Sequence, residues 1–211
     1  MNFRIILGSL VCCVFGTGVS PADDWVRYRG PNGQGISDDS AIPIQWSGKE
    51  NIQWQRELPG PGSSSAVVAD GRVFITCFSG VGEGRSDVTG LKRHVVCVEQ
   101  SSGKVLWQKD FKTEYGVKTP VWGFAAHPLV RGGHLICLAR GDGSTVVCYD
   151  KLSGKEVWRS LTAKEPGYCP PTLIHAGGVE QLIIWHPESL NSLNPDTGKV
   201  YWSEPFRVRS G

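Results

Sequence analysis

Side chains able to do chemistry are scattered through this sequence rather than gathered into a motif. Five cysteines follow residue 22, namely Cys77, Cys97, Cys137, Cys148 and Cys169. None shows the C-x-x-C spacing that a thiolate metal site would use. Their odd number forbids full intramolecular pairing. The first four sit among apolar neighbours, as in Val96-Cys97-Val98. Buried free thiols and at least one hairpin disulfide both remain open. His175 and His186 would meet across a hairpin with Glu188 nearby, a minimal metal site, although isolated histidines at strand ends are more often structural. Ser63-Ser64-Ser65 lacks the Gly-x-Ser-x-Gly setting of an activated nucleophile. The glycines from Gly80 to Gly90 are not followed by the Gly-Lys-Ser/Thr that opens a phosphate-binding helix. No residue is therefore assigned to catalysis, metal or cofactor binding. Trp122, His127, Tyr168, Trp185 and His186 form a candidate ligand surface, able to grip a sugar or peptide at a channel mouth, although such aromatics also serve as core.

The elements that must position these groups announce themselves by repetition. Ser102-Gly103-Lys104-Val105-Leu106-Trp107 returns as Ser153-Gly154-Lys155-Glu156-Val157-Trp158 and again as Thr197-Gly198-Lys199-Val200-Tyr201-Trp202. The tryptophans lie 51 and then 44 residues apart. A period of roughly 40–50 residues points to stacked β-sheet blades. Each copy reads as four strands. In the first, Asp70-Gly71 between apolar runs is a strong hairpin signal. Gly103, Gly154 and Gly198 each close the last hairpin, where a left-handed residue excludes a Cβ. Glu99, Asp150 and Asn194 precede those corners and steady them through local backbone amides. Trp107, Trp158 and Trp202 follow on strands apolar on both faces, the mark of a sheet covered on both sides. The sequence thus predicts an all-β fold, a propeller of four-stranded antiparallel blades with about three blades present as an incomplete ring. The blades fall at about 63–111, 121–160 and 169–206, within a unit spanning 63–211.

Before them, residues 23–62 form a turn-rich lead-in with one outer strand, Ile52–Leu58, whose Trp54 resembles the repeat tryptophan without its glycine corner. Residues 1–22 read as a signal peptide, with Arg4, an uncharged and largely apolar run over 5–19, and Ser20-Pro21-Ala22 before Asp23. An exported protein, periplasmic or extracellular, is expected. No later segment is apolar and long enough for the ~20 residues of a membrane span. The chain after residue 22 carries 21 basic and 20 acidic residues with no basic block, which argues against a nucleic-acid partner.

These units resemble the PQQ-like, quinoprotein alcohol dehydrogenase-like, β-propeller repeats, whose blades end in [D/N]-x-x-[S/T]-G-K-x-x-W. Asn194 to Trp202 matches best, Asp150 to Trp158 also fits, and Glu99 to Trp107 carries a Glu at the first position. The lead-in with Arg29-Gly30-Pro31-Asn32-Gly33 is similar to the opening of exported, planctomycete-type members. The resemblance implies one of two roles. Some members are dehydrogenases that hold pyrroloquinoline quinone and calcium on the propeller axis. Others are scaffolds that bind partner proteins. The enzymes use an adjacent cysteine pair at the cofactor, and the adjacent cysteines here, Cys12 and Cys13, fall in the leader. The expectation is a non-catalytic scaffold or binding module with a protein or glycan partner and no cofactor. The alternative is a fragment of a quinone-dependent alcohol or sugar dehydrogenase with quinone and calcium. Three blades are short of the ~4–8 that close a ring, so the missing blades are expected in a longer chain or an oligomer.

Overall fold

A computed structural model describes residues 24–39, 42–80, 90–116, 126–165 and 167–206. The expected leader and Trp122 lie outside them. Among the described residues, twelve strands form three antiparallel four-stranded sheets, each connected in simple up-and-down order. Blade 1 comprises β1 (Val67–Ala69), β2 (Arg72–Ser79), β3 (Lys92–Glu99) and β4 (Val105–Asp110). A short helix, α1 (Phe111–Tyr115), follows. Blade 2 comprises β5 (Leu129–Arg131), β6 (His134–Leu138), β7 (Val146–Asp150) and β8 (Glu156–Ser160). Blade 3 comprises β9 (Thr172–Ala176), β10 (Val179–His186), β11 (Ser189–Leu193) and β12 (Val200–Pro205). This is an incomplete β-propeller of about three blades.

Local chemistry explains the hairpins. Asp70 and Gly71 take φ of 48° and 70°, and Gly177 and Gly178 take 61° and 78°. Two successive left-handed residues give the turn whose twist matches that of paired strands. At the corners before the fourth strands, Gly103, Gly154 and Gly198 have φ of 68°, 68° and 70°. Their amides donate to the carbonyls of Glu99, Asp150 and Asn194 at 2.8, 2.8 and 2.9 Å. The acidic or amide side chains cap the same corners. Asp150 Oδ1 accepts from the Ser153 amide and hydroxyl, and Asn194 Oδ1 accepts from the amides of Asp196 and Thr197. A bulge follows at the same place in every blade, at Cys97/Val98, Cys148/Tyr149 and Ser192/Leu193.

The core lies between blades. Val67, Phe74, Val95 and Cys97 of blade 1 meet Leu135, Cys137, Val147 and Tyr149 of blade 2. Ile136, Leu138, Cys148 and Trp158 of blade 2 meet Leu182, Ile184 and Leu193 of blade 3. The inner strands β6 and β7 of blade 2 are apolar on both faces because a blade covers each face. The fourth strands depart from the double cover the sequence predicts, since Val105, Leu106, Val157, Val200, Tyr201 and Trp202 are exposed at the outer edges.

Three further departures from the sequence reading have physical causes. Residues 52–58 pair with no strand among the described residues, and Trp54 and Leu58 pack against blade 1 instead. β3 begins at Lys92, so it opens with the polar run Lys92-Arg93-His94, which carries no strand signal in the sequence. Its Arg93 is 1% exposed, lies 5.4 Å from the Phe111 ring centroid and donates to the Ala139 carbonyl at 3.2 Å. Burial lowers its pKa to about 9. Finally, α1 was not anticipated. The Asp110 side chain caps its start by accepting from the Lys112 amide, and Gly116 ends it in the left-handed region at φ 61°. Tyr115 then donates to Glu156 and meets the Tyr149 hydroxyl at 2.9 Å, tying blade 1 to blade 2.

Candidate functional site

The first strands of blades 1 and 2 meet at their inner edges, where β1 contacts β5. The lead-in joins them there. Trp25 exchanges two backbone hydrogen bonds with Val68 of β1, at 2.8 and 2.9 Å, and the Val26 carbonyl accepts from Val130 of β5 at 2.8 Å. Two residues of lead-in thus bridge the inner edges of two blades. Gly30 is needed behind them, since a Cβ there would fall 2.7 Å from the Trp25 ring.

Beside this bridge, Tyr28 stacks on His127 with ring centroids 4.3 Å apart and planes 14° from parallel. His127 Nδ1 accepts from the Ser65 amide at 2.5 Å. Burial holds this imidazole below its ordinary pKa, so the neutral ring with its proton on Nε2 is favoured. His186 is elsewhere, at the far end of β10. It is buried, its Nδ1 accepts from the Glu188 amide at 3.3 Å, and its Nε2 lies 3.0 Å from Ser189 Oγ. Burial lowers its pKa too. Trp185 is on the blade 3 face turned away from blade 2, edge-on to Phe206 at 5.3 Å. Tyr168 is exposed. The four described candidate ligand residues are therefore divided: His127 lies beside the lead-in bridge, Tyr168 in the connection between blades 2 and 3, and Trp185 and His186 at the end of β10.

His175 and His186 do not meet. His175 pairs with Glu180 at one end of β10, whereas His186 pairs with Ser189 at the other. No three His, Cys, Asp or Glu side chains converge among the described residues. All five described cysteines are free. Four are buried, and burial pushes the thiols of Cys97, Cys137 and Cys148 up to about 12. Such thiols are unreactive at neutral pH.

The structure also makes a serine–histidine contact that the sequence reading missed. Ser79 Oγ lies 2.7 Å from His94 Nε2, and Gln108 Nε2 is 3.4 Å from His94 Nδ1. An acyl-transfer triad would place a carboxylate at that second nitrogen. Asp110 is the register partner of His94, but its carboxylate is turned to the Lys112 amide and the Thr113 hydroxyl. The contact satisfies buried polar groups and assembles no base–nucleophile relay.

The most regular chemistry is at the seams. Each corner glycine lies beneath the indole of the preceding element. An ideal Cβ on Gly103 would be 2.4 Å from Trp54, one on Gly154 2.7 Å from Trp107, and one on Gly198 2.5 Å from Trp158. Trp54 Nε1 donates to the Gln100 carbonyl at 2.6 Å, and Trp107 Nε1 to that of Lys151 at 3.1 Å. Trp158 Nε1 is buried with no acceptor. Trp202 has no corner among the described residues, and its Nε1 donates to Gln181 Oε1 at 3.1 Å. Ion pairs run alongside. Asp70 of blade 1 pairs with Lys151 of blade 2. Arg131 of blade 2 pairs with Glu180 and Asp196 of blade 3, both at 2.5 Å. The partner guanidinium holds the Asp196 carboxyl below its usual range. No local motif in the sequence announced these ties, because each joins turns tens of residues apart.

A family profile described as outer membrane protein assembly factor BamB matches residues 45–210. No curated protein matches the chain. Among solved structures it is similar to BamB from Moraxella catarrhalis, with 16% identity, a TM-score of 0.45, and coverage of 77% of this chain and 43% of that one. It is similar to the quinohemoprotein alcohol dehydrogenase from Comamonas testosteroni at 12% identity and a TM-score of 0.46, covering 68% of this chain and 27% of that one. A europium-containing methanol dehydrogenase matches at 11% identity and a TM-score of 0.43, covering 66% of this chain and 24% of that one. The chain therefore spans less than half the length of each of these structures. With the profile covering most of its length and the corner-and-indole repeat present in every blade, the chain belongs to the PQQ-like β-propeller repeat family.

Proposed function

We propose that this chain is an exported, non-catalytic propeller scaffold that offers its loops to a protein or glycan partner. The observation that carries this reading is the seating of Trp25 and Val26 on the inner edges of β1 and β5. Lead-in backbone at the edges of these two strands supports a reading in which they serve packing and not a cofactor. Pyrroloquinoline quinone and calcium fit the described residues poorly. Calcium takes six to eight oxygen ligands, and no convergent carboxylate set is assembled among the described residues. The described cysteines are dispersed along the chain and supply no adjacent pair of the kind expected at the quinone. The matching family profile is described by an assembly factor, a role exercised on other proteins, which favours a protein over a small molecule as partner. Export rests on the leader at 1–22, and among the described residues no helix is long and apolar enough to cross a membrane.

Titration of the purified mature protein with pyrroloquinoline quinone and calcium tests the reading. The tryptophan emission is expected to show no saturable quenching, and dye-linked alcohol oxidation to stay at background. Saturable quenching together with turnover would overturn it. N-terminal sequencing of the secreted protein is expected to begin at Asp23.

A further inference from the structure

We infer that Trp107, Tyr149 and Tyr115 form a relay that carries oxidising equivalents out of the core between blades 1 and 2, with Glu156 taking the proton that oxidation of Tyr115 releases. The places where the repeat is broken point to it. Val98 and Leu193 follow the bulges of blades 1 and 3, and Tyr149 stands there in blade 2. Val105 and Val200 open the fourth strands of blades 1 and 3, and Glu156 stands there in blade 2. Tyr149 and Glu156 are register partners. The third irregularity is α1, whose capped turn brings the Tyr115 hydroxyl between the other two. Three departures from an otherwise regular pattern thus meet in one hydrogen-bonded chain.

The chain has a direction. Tyr115 donates to Glu156 Oε2 at 2.8 Å, so in the 2.9 Å contact between the hydroxyls Tyr149 donates and Tyr115 accepts. The protons therefore point from a phenol with 0% exposure toward a carboxylate in solvent. A tie between α1 and blade 2 needs no further ring, yet the half-buried Trp107 packs on Tyr149 with centroids 6.4 Å apart. Electron transfer weakens steeply with distance, so short steps between adjacent rings outrun one long step. The Arg159 guanidinium lies 5.9 Å from the Tyr115 ring centroid. A cation there disfavours a positively charged radical, so oxidation of Tyr115 goes with loss of its proton. Cys97 and Cys137 share the core cluster with Tyr149, and they are the thiols such a path would spare from oxidation.

Electrons and protons balance at each step. A one-electron oxidant takes an electron from the Trp107 indole and is itself reduced. An electron passes from Tyr115 by way of Tyr149 to the indole and restores it. The Tyr115 hydroxyl proton moves to Glu156, which leaves a neutral phenoxyl beside a neutral carboxyl. A soluble one-electron reductant of the ascorbate class then returns the electron, and Glu156 returns the proton.

Pulse radiolysis with the azide radical, which oxidises indoles in preference to phenols at neutral pH, tests the relay. The parent is the purified chain carrying Tyr28→Phe, Tyr168→Phe and Tyr201→Phe, so that Tyr115 and Tyr149 are the tyrosines that remain. Its indolyl absorption is expected to decay as phenoxyl absorption rises, at a first-order rate independent of protein concentration. Tyr115→Phe, which keeps the ring without the hydroxyl, is expected to lose most of that rise, and so is Trp107→Phe. Glu156→Gln, which keeps an acceptor for Tyr115 but cannot take its proton, is expected to slow the rise several-fold. All are read in variants whose far-UV circular dichroism matches that of the parent, a condition that Tyr115→Phe and Glu156→Gln meet most easily because they leave the packing rings in place. No phenoxyl rise in the parent, a rise that survives Tyr115→Phe, or a rate indifferent to Glu156→Gln would overturn the inference.

Discussion

Replacing Gly154 by alanine should unfold the seam between blades 1 and 2 far more readily than the same change at Gly132. Both glycines are left-handed, at φ of 68° and 53°. A Cβ at Gly132 meets nothing within 4 Å, whereas one at Gly154 would lie 2.7, 2.9 and 3.1 Å from three atoms of the Trp107 ring. The ring has little room to retreat. Its centroid is 6.0 Å from that of Phe74 and 6.4 Å from that of Tyr149, and its N–H is fixed on the Lys151 carbonyl. The backbone penalty alone is about 1–2 kcal/mol at either site. Full ejection of an indole would expose roughly 150–250 Å², worth about 4–6 kcal/mol at about 25 cal/mol per Å². Partial tilting costs less, so Gly154→Ala is expected to lose about 3–5 kcal/mol and Gly132→Ala about 1 kcal/mol. Urea unfolding followed by far-UV circular dichroism measures both. In a Trp107→Leu background the Gly154→Ala loss should shrink to the backbone penalty, because the clashing ring is gone. Equal losses at the two glycines, or a Gly154 loss indifferent to Trp107, would refute the ring-on-corner account.

Other outcomes follow from the same seams. Trp158→Phe should cost at least about 1 kcal/mol less than Trp107→Phe, since a buried unpaired donor carries a penalty of about 1–3 kcal/mol and only Trp158 has one of the two. The reverse order in urea midpoints would contradict it. Arg131→Ala should lower stability by about 1 kcal/mol or less, because its ion pairs are partly exposed. Most of that difference should vanish in 1 M salt, where the screening length is about 3 Å. Burial holds the imidazoles of His94, His127 and His186 below their ordinary pKa of 6.5. The unfolded chain gains these protons first as pH falls, so the stability is complete above pH 6.5 and lost as pH falls through the folded values. Urea midpoints should therefore drop between pH 7.5 and 5.5, and less so after His→Gln at all three positions.

The corner repeat was legible because one residue type meets one conformational demand. Only glycine sits comfortably at the left-handed corner, and the capping Asp or Asn stands a fixed distance before it. The identity of the ring beneath each corner was not legible, since Trp107 and Gly154 are joined by space and not by any local pattern. Trp54 carried the clue, as it precedes Gly103 much as Trp107 precedes Gly154. The early start of β3 was hidden by its composition. Lys92-Arg93 reads as the end of a polar loop, yet Arg93 lies inside, beside the Phe111 ring and donating to the Ala139 carbonyl. The lead-in bridge was hidden by brevity, for Trp25 and Val26 are two residues in a stretch of turn signals. The candidate ligand residues scattered because aromatic character alone says nothing of which blade face a side chain takes.

Nuclear Overhauser contacts from the indole rings test the architecture most directly. The account predicts cross-peaks from Trp54 to the Gly103 Hα protons, from Trp107 to those of Gly154 and from Trp158 to those of Gly198, with those glycine protons shifted by the ring currents. Trp202 should show none to any of the three. Rings that report unrelated neighbours, or corner glycines without ring-current shifts, would contradict it.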